Sequence, residues 1–157
     1  MTLDISSILT DNTLLGLNLG CTYKQAFEKL DELDLPYYFQ RNSSDDSFII
    51  VESLQLFFKS GNLDFGGITM IYSGASISLF GHKFNERTTL KEFHEILSMH
   101  QLTFIEMEVS SNYQFDLVIE DKVGIIFSYE EEEKQYRLNK IQWGGPFLIK
   151  SKNFMPD

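Results

Sequence analysis

The chain reads as though it were written twice. Thr22 to Leu30 (TYKQAFEKL) matches Thr88 to Ile96 (TTLKEFHEI) at a spacing of 66 residues, which also pairs Phe27 with Phe93 and Leu33 with Met99. Leu54 to Phe58 (LQLFF) then matches Val123 to Phe127 (VGIIF) at a spacing of 69, and Phe65 to Met70 matches Leu138 to Trp143 at 73. The register drifts only across turns. Its last step falls where Lys59-Ser60-Gly61-Asn62 becomes the longer stretch Ser128 to Gln135, and a hairpin tip is where added residues are best tolerated. Any two amphipathic α+β segments also look alike when aligned, and that plainer reading stands beside duplication. A chain of 157 residues is long enough to bury a sizeable core as one domain. Its expected halves are approximately residues 14–84 and 85–154.

Each half predicts a helix followed by antiparallel strands. In the first, Thr22 is placed to cap a helix with Gln25 three residues on, an arrangement that satisfies exposed amides of the first turn. Ala26, Phe27, Leu30 and Leu33 fall on one helical face, and Pro36 ends the segment. In the second, Thr88 or Thr89 is the cap and Leu90, Phe93, Ile96 and Leu97 supply the face. An additional short helix is expected over residues 3–10. Strands are expected over Tyr37–Arg41, Phe48–Glu52, Leu54–Lys59, Asp64–Tyr72 and Ala75–Phe80. The second half offers Phe104–Val109, Tyr113–Glu120, Val123–Tyr129, Tyr136–Trp143 and Phe147–Lys150. The fold class is therefore α+β: a tandem repeat of helix and strands, with one continuous curved antiparallel sheet and the helices on one face.

Alternation along the strands divides that sheet into two faces. Phe115, Leu117, Ile119, Val123, Ile125 and Phe127 are expected to face the helices. Glu106, Glu108, Asp116, Val118 and Ile126 are expected on the opposite side, joined there by Gln55, Phe57 and Lys59. That opposite side is the candidate partner-binding surface, although a slip of one residue would exchange the faces.

Charge narrows the partners. With 23 Asp and Glu against 13 Lys and Arg, the formal charge of −10 repels nucleic acid and anionic membranes and attracts a basic protein. Acidity also serves solubility alone. No transmembrane run is present, and residues 1–20 carry Asp4 and Asp11 without a basic leader, so cytoplasmic residence is expected. The single Cys21 cannot form an internal disulfide.

The order of Leu15 to Thr22, a helix ending in Leu35-Pro36, then Leu54 to Phe58 and Gly61 to Phe65, resembles short bacterial immunity proteins of polymorphic-toxin systems. The tandem helix-plus-strands layout also resembles the β-lactamase-inhibitor protein fold. The likeness covers roughly residues 14–150. It implies a cytoplasmic inhibitor that binds a toxin or enzyme domain, with no catalysis and no cofactor of its own.

Catalytic motifs are not found. His82, His94 and His100 have no metal-ligand spacing, and His94 and His100 lie on different sides of a helix. Gly66-Gly67 and Gly144-Gly145 do not precede a helix bearing a lysine, as a phosphate loop requires. The sharpest feature is Glu130, Glu131, Glu132 and Glu133 on the expected hairpin tip, flanked by Tyr129, Tyr136 and Trp143. Read functionally, it is an acidic finger for a basic cleft; read otherwise, it is a solvated turn. The sequence-level candidates for partner binding are Glu130–Glu133, Tyr129, Tyr136, Glu106, Glu108, Asp116 and Phe57. A non-catalytic small-molecule or lipid-binding α+β module is the alternative, since an aromatic-rich sheet under helices also suits a pocket.

Overall fold

The structure, a computed structural model, describes residues 1–70, 74–107 and 112–145. It opens with strand β1 (Thr2–Asp4), helix α1 (Ser6–Asp11) and a tight pair, β2 (Thr13–Leu14) and β3 (Leu17–Asn18). Helix α2 (Tyr23–Glu32) leads into β4 (Tyr38–Arg41), β5 (Asp46–Val51), β6 (Leu54–Lys59) and β7 (Asn62–Thr69). Next come β8 (Ser76–Leu79), β9 (His82–Phe84) and helix α3 (Leu90–Met99). The last strands are β10 (Phe104–Met107), β11 (Gln114–Ile119), β12 (Val123–Glu130) and β13 (Gln135–Gly144). The protein is α+β, dominated by an eight-stranded sheet in the order β10-β11-β12-β13-β7-β6-β5-β4, in which every neighbouring pair is antiparallel. No helix is long and apolar enough to cross a membrane, among the described residues.

Both long helices begin and end alike. The Gln25 amide donates to Thr22 Oγ1 at 3.2 Å and the Thr22 amide donates to Gln25 Oε1 at 2.9 Å. Thr89 and Glu92 repeat the arrangement at 3.2 and 2.8 Å. Each cap satisfies amides that have no partner within the helix and is worth about 1 kcal/mol. The chain leaves α2 through Asp34 and α3 through Gln101, each at a φ of 53°. The Leu35 and Leu102 amides then return to the carbonyls of Leu30 and Leu97 at 3.0 and 2.9 Å.

One face of the large sheet carries the cover. Leu54, Leu56 and Phe58 on β6, with Val123, Ile125 and Phe127 on β12, are all buried there. Phe93 of α3 meets Phe127 edge-on at 5.6 Å, and Phe27 of α2 meets Phe39 at 5.1 Å. The three-stranded sheet β1-β8-β9 joins the same core, with Phe84 lying 4.9 Å from Phe93. Tethers from the N-terminal segment reach both halves: the Met1 amine pairs with Glu52 at 2.9 Å, and Lys122 Nζ donates to the Leu9 carbonyl at 2.8 Å. Burying one such Leu or Phe side chain contributes about 1.5–3 kcal/mol.

Hydrogen bonds fix how the two helix-plus-four-strand runs correspond. The Leu63 amide donates to the Cys21 carbonyl at 2.7 Å, and the Leu138 amide donates to the Thr88 carbonyl at 2.9 Å. Register breaks fall between Phe57 and Phe58 in one run and between Ile126 and Phe127 in the other. Leu54 pairs with Ile68 as Val123 pairs with Trp143, so Ile68 and Trp143 occupy the same place. Where β7 meets β13, Gly66 pairs with Trp143 and Ile68 with Ile141. Exchanging the halves therefore maps this joint onto itself about the Gly67–Gln142 pair.

Several sequence expectations are corrected. The helices match through Thr22 and Thr89, one residue off the sequence alignment, so Phe93 stands where Ala26 does; both are fully buried. The β7–β13 match shifts by two, because the paired strands place Ser128 opposite Arg137 where Lys59 stands opposite Asn62, which makes the hairpin insertion longer than the sequence alignment allowed. Leu3 lies in β1, parallel to β8, and the helix starts only at Ser6. Ala75–Phe80 contributes β8 to the separate three-stranded sheet, so the strands do not all join one sheet. Leu33 and Met99 sit at helix ends and are exposed. The expected strand Phe147–Lys150 lies outside the described residues.

Candidate functional site

The face turned away from the helices has its own composition. Phe48, Phe57 and Phe65 are cross-strand neighbours on β5, β6 and β7, and all three are half-buried. The rings of Phe48 and Phe57 lie 6.2 Å apart, and those of Phe57 and Phe65 stack at 4.3 Å with 17° between planes. Gln55 and Lys59 share this face and are exposed; Tyr38, on edge strand β4, is 59% exposed. Gly144 and Gly145 turn the chain at φ values of 75° and 70°. A Cβ on Gly145 would lie 2.8 Å from Phe65 Cβ, so this backbone abuts the stripe directly.

The second half of this outer face is different. Asp116 lies there as expected, but it is buried and receives two hydrogen bonds from Gln114 Nε2, at 2.8 and 3.1 Å. Val118 and Gln142 are buried too, while Ile126 is half-buried. Asp116 is thus not an exposed contact. Glu106 was expected on this face and belongs to the other, because it pairs with Leu117. Its carboxylate lies 3.9 Å from His94 Nε2 on α3. Glu108 lies outside the described residues.

The acidic hairpin is present and partly neutralised from within. Tyr129 pairs with Tyr136 and Glu130 with Gln135 at the ends of β12 and β13, leaving residues 131–134 as the turn. Arg137 donates to both Glu130 and Glu133, and its Nη1 also reaches the Arg87 carbonyl at 2.6 Å. Of these four acids, Glu131 and Glu132 are the two exposed ones for which no ion pair with a cation is seen among the described residues. The four-acid finger is therefore a two-acid tip above a clamped base.

Two grooves flank that hairpin. One, of about 800 Å³, runs between α3 and β13 and is lined by Leu90, Lys91, His94 and Tyr136. The other, of about 830 Å³, is bordered by Glu86, Arg87, Tyr129 and Arg137. Tyr129 and Tyr136 meet edge-on at 5.2 Å, and the Tyr136 hydroxyl donates to the Asn112 carbonyl at 2.8 Å. These tyrosines thus form a fixed aromatic base for the acidic tip. Trp143, by contrast, is buried on the helix-side face opposite Gly66.

The groups able to do chemistry are dispersed. His82 and His100 meet at 5.0 Å beside Phe80, whereas His94 stacks on Phe104. No group of three or more His, Cys, Asp or Glu is placed to hold a metal ion, among the described residues. Burial raises the Cys21 thiol above its ordinary pKa, which disfavours the nucleophilic thiolate. Gly66 and Gly67 lie within β7 and not in a phosphate-binding loop.

The sequence expectation names Phe57, Tyr129 and Tyr136 but neither Phe48 nor Phe65, the cross-strand neighbours of Phe57. The sequence alignment sets Phe65 against Leu138, a core position, whereas the strand pairing sets it against Lys140, because the hairpin insertion is longer than that alignment allowed. Comparison of the chain with protein-family models, with curated proteins and with solved structures gives no match.

Proposed function

We propose that this chain is an immunity or inhibitor protein that binds and neutralises a basic toxin or enzyme domain. The observation that carries the reading is the β12–β13 hairpin. It raises Glu131 and Glu132 above a fixed Tyr129–Tyr136 pair, with a groove on either side. A rigid aromatic base costs little ordering entropy on binding, and Tyr is enriched among binding hot spots. The net charge of −10 favours a basic partner and speeds encounter with it. The outer sheet face adds area beside this projection.

In the same reading, the two helix-plus-strands runs are copies of one unit joined at β7 and β13, forming a single curved platform. The matched caps, register breaks and helix exits support this origin. Duplication explains why much of the chain is scaffold and why recognition concentrates where the copies differ. The inserted hairpin is the largest such difference.

Co-expression with the products of genes adjacent to its own tests the proposal. A basic neighbour that arrests growth alone, and is silenced in a complex with this chain, is the expected result. A chain that neutralises none of them and retains an apolar small molecule through purification would instead favour the ligand-binding alternative.

A further inference from the structure

We infer that the Phe48–Phe57–Phe65 stripe is the principal anchor for the partner, and that it receives an aliphatic or aromatic side chain projecting from a basic protein surface. This deepens the proposed inhibitor function and rests on it. The argument uses one half of the chain as a control for the other. On the helix-side face, corresponding positions keep their apolar character: Leu56 answers to Ile125, Phe58 to Phe127 and Leu63 to Leu138. Folding requires this of both halves.

The stripe breaks that rule. Phe48 pairs with Phe57, and Phe57 with Phe65, where Asp116 pairs with Ile126, and Ile126 with Lys140. The backbone pairing and the neighbouring bulge are the same in both places. This arrangement of strands therefore forms with Asp, Ile and Lys as readily as with three phenylalanines. The aromatic residues are not what the fold demands, and leaving them half-exposed side by side is a cost that a partner would offset.

Their setting indicates what that partner is. The 4.3 Å stack, and the Gly145 backbone against Phe65, hold the rings in place before binding, which limits the entropy lost on association. Asp45, Asp46 and Asp64 are exposed close to the stripe, against Lys59 and, over Gly67, Lys140 on the same face. An acidic margin around an aromatic patch, on a chain of charge −10, complements an apolar knob ringed by Lys or Arg.

A phage-displayed library of random linear peptides, selected on the intact protein, supplies the probe. Enriched peptides should carry Leu, Met or an aromatic residue between basic residues. The best should bind F57S/F65S at least ~30-fold more weakly, the loss characteristic of a hot spot, while thermal unfolding of the variant stays cooperative. Should that double variant fail to fold, Phe57→Ile imports the residue the second half already carries, and a loss of ~10-fold is expected. Equal affinity for wild type and variant overturns the inference. If such peptides depend instead on Glu131 and Glu132, shown by E131Q/E132Q, the stripe is excluded while the basic-partner reading stands. Enrichment of acidic peptides, or of none, overturns both. Sedimentation showing a dimer that F57S/F65S dissolves would assign the stripe to a second copy of the chain and overturn the inference as well.

Discussion

Thr89 and Glu92 hold the start of α3 by exchanging hydrogen bonds, the Thr89 amide donating to the Glu92 carboxylate at 2.8 Å and the Glu92 amide to Thr89 Oγ1 at 3.2 Å. Acceptance from the Thr89 amide, then from its hydroxyl, holds the Glu92 carboxyl below its ordinary pKa; Arg137 adds a smaller pull in the same direction. A depressed carboxylate stabilises the fold fully above the unfolded Glu value of ~4.3, and that contribution is lost as pH falls through the folded value. The equivalent cap on α2 uses Gln25 and has no such titration. Denaturant midpoints measured from pH 7 to pH 3 should therefore fall less steeply in Glu92→Gln than in the wild type, while Gln25→Glu should steepen the fall. Parallel curves for all three proteins would rule out this cap as an acid-sensitive element.

Arg137 organises the hairpin base by pairing with Glu130 and Glu133 and donating to the Arg87 carbonyl. Arg137→Leu leaves two carboxylates and a carbonyl without their donor, and an expected destabilisation of about 1 kcal/mol follows for this partly exposed network. By contrast, E131Q/E132Q should leave the unfolding midpoint within about 0.5 kcal/mol of wild type, because surface positions away from packing rarely contribute more. Chemical denaturation of the two variants separates the structural acids from the free ones. A larger loss in E131Q/E132Q than in Arg137→Leu would reverse the assignment.

Gly144 is at a φ of 75°, and a Cβ there would approach the Asp64 carbonyl oxygen to 2.9 Å and Leu19 Cδ1 to 2.8 Å. Backbone and side chain both oppose a methyl group, and the left-handed conformation alone costs about 1–2 kcal/mol for an L-residue. Gly144→Ala should lower stability by about 2 kcal/mol or more. Gly20→Ala, at a φ of 87° with no heavy atom near its would-be Cβ, meets only the conformational part and should cost less. Urea titration of both proteins checks the order of effects.

Much of the scaffold was legible in the sequence because capping and alternation are local signals. Thr22 with Gln25 announced α2, and Leu54-Gln55-Leu56 announced a strand with one buried face. What escaped were features set by pairing between distant strands. The bulges at Asp64 and Asn139 each exchange the faces of the residues beyond them, which a period-two pattern does not show, so nothing in the sequence set Phe65 beside Phe57. Glu106 was misplaced for a related reason: four residues of β10 contain too few alternations to reveal which side meets α3. The hairpin was legible as a charge run, but the clamp by Arg137 depends on which side chains the closed turn brings together.

The most direct measurement is titration of the chain with the basic product of a neighbouring gene, alongside a growth assay in cells producing that product. The account predicts a one-to-one complex that restores growth, binding that weakens with added salt, and a loss of at least ~30-fold in affinity together with loss of protection in F57S/F65S. Full protection by F57S/F65S and E131Q/E132Q alike, at unchanged affinity, would contradict it.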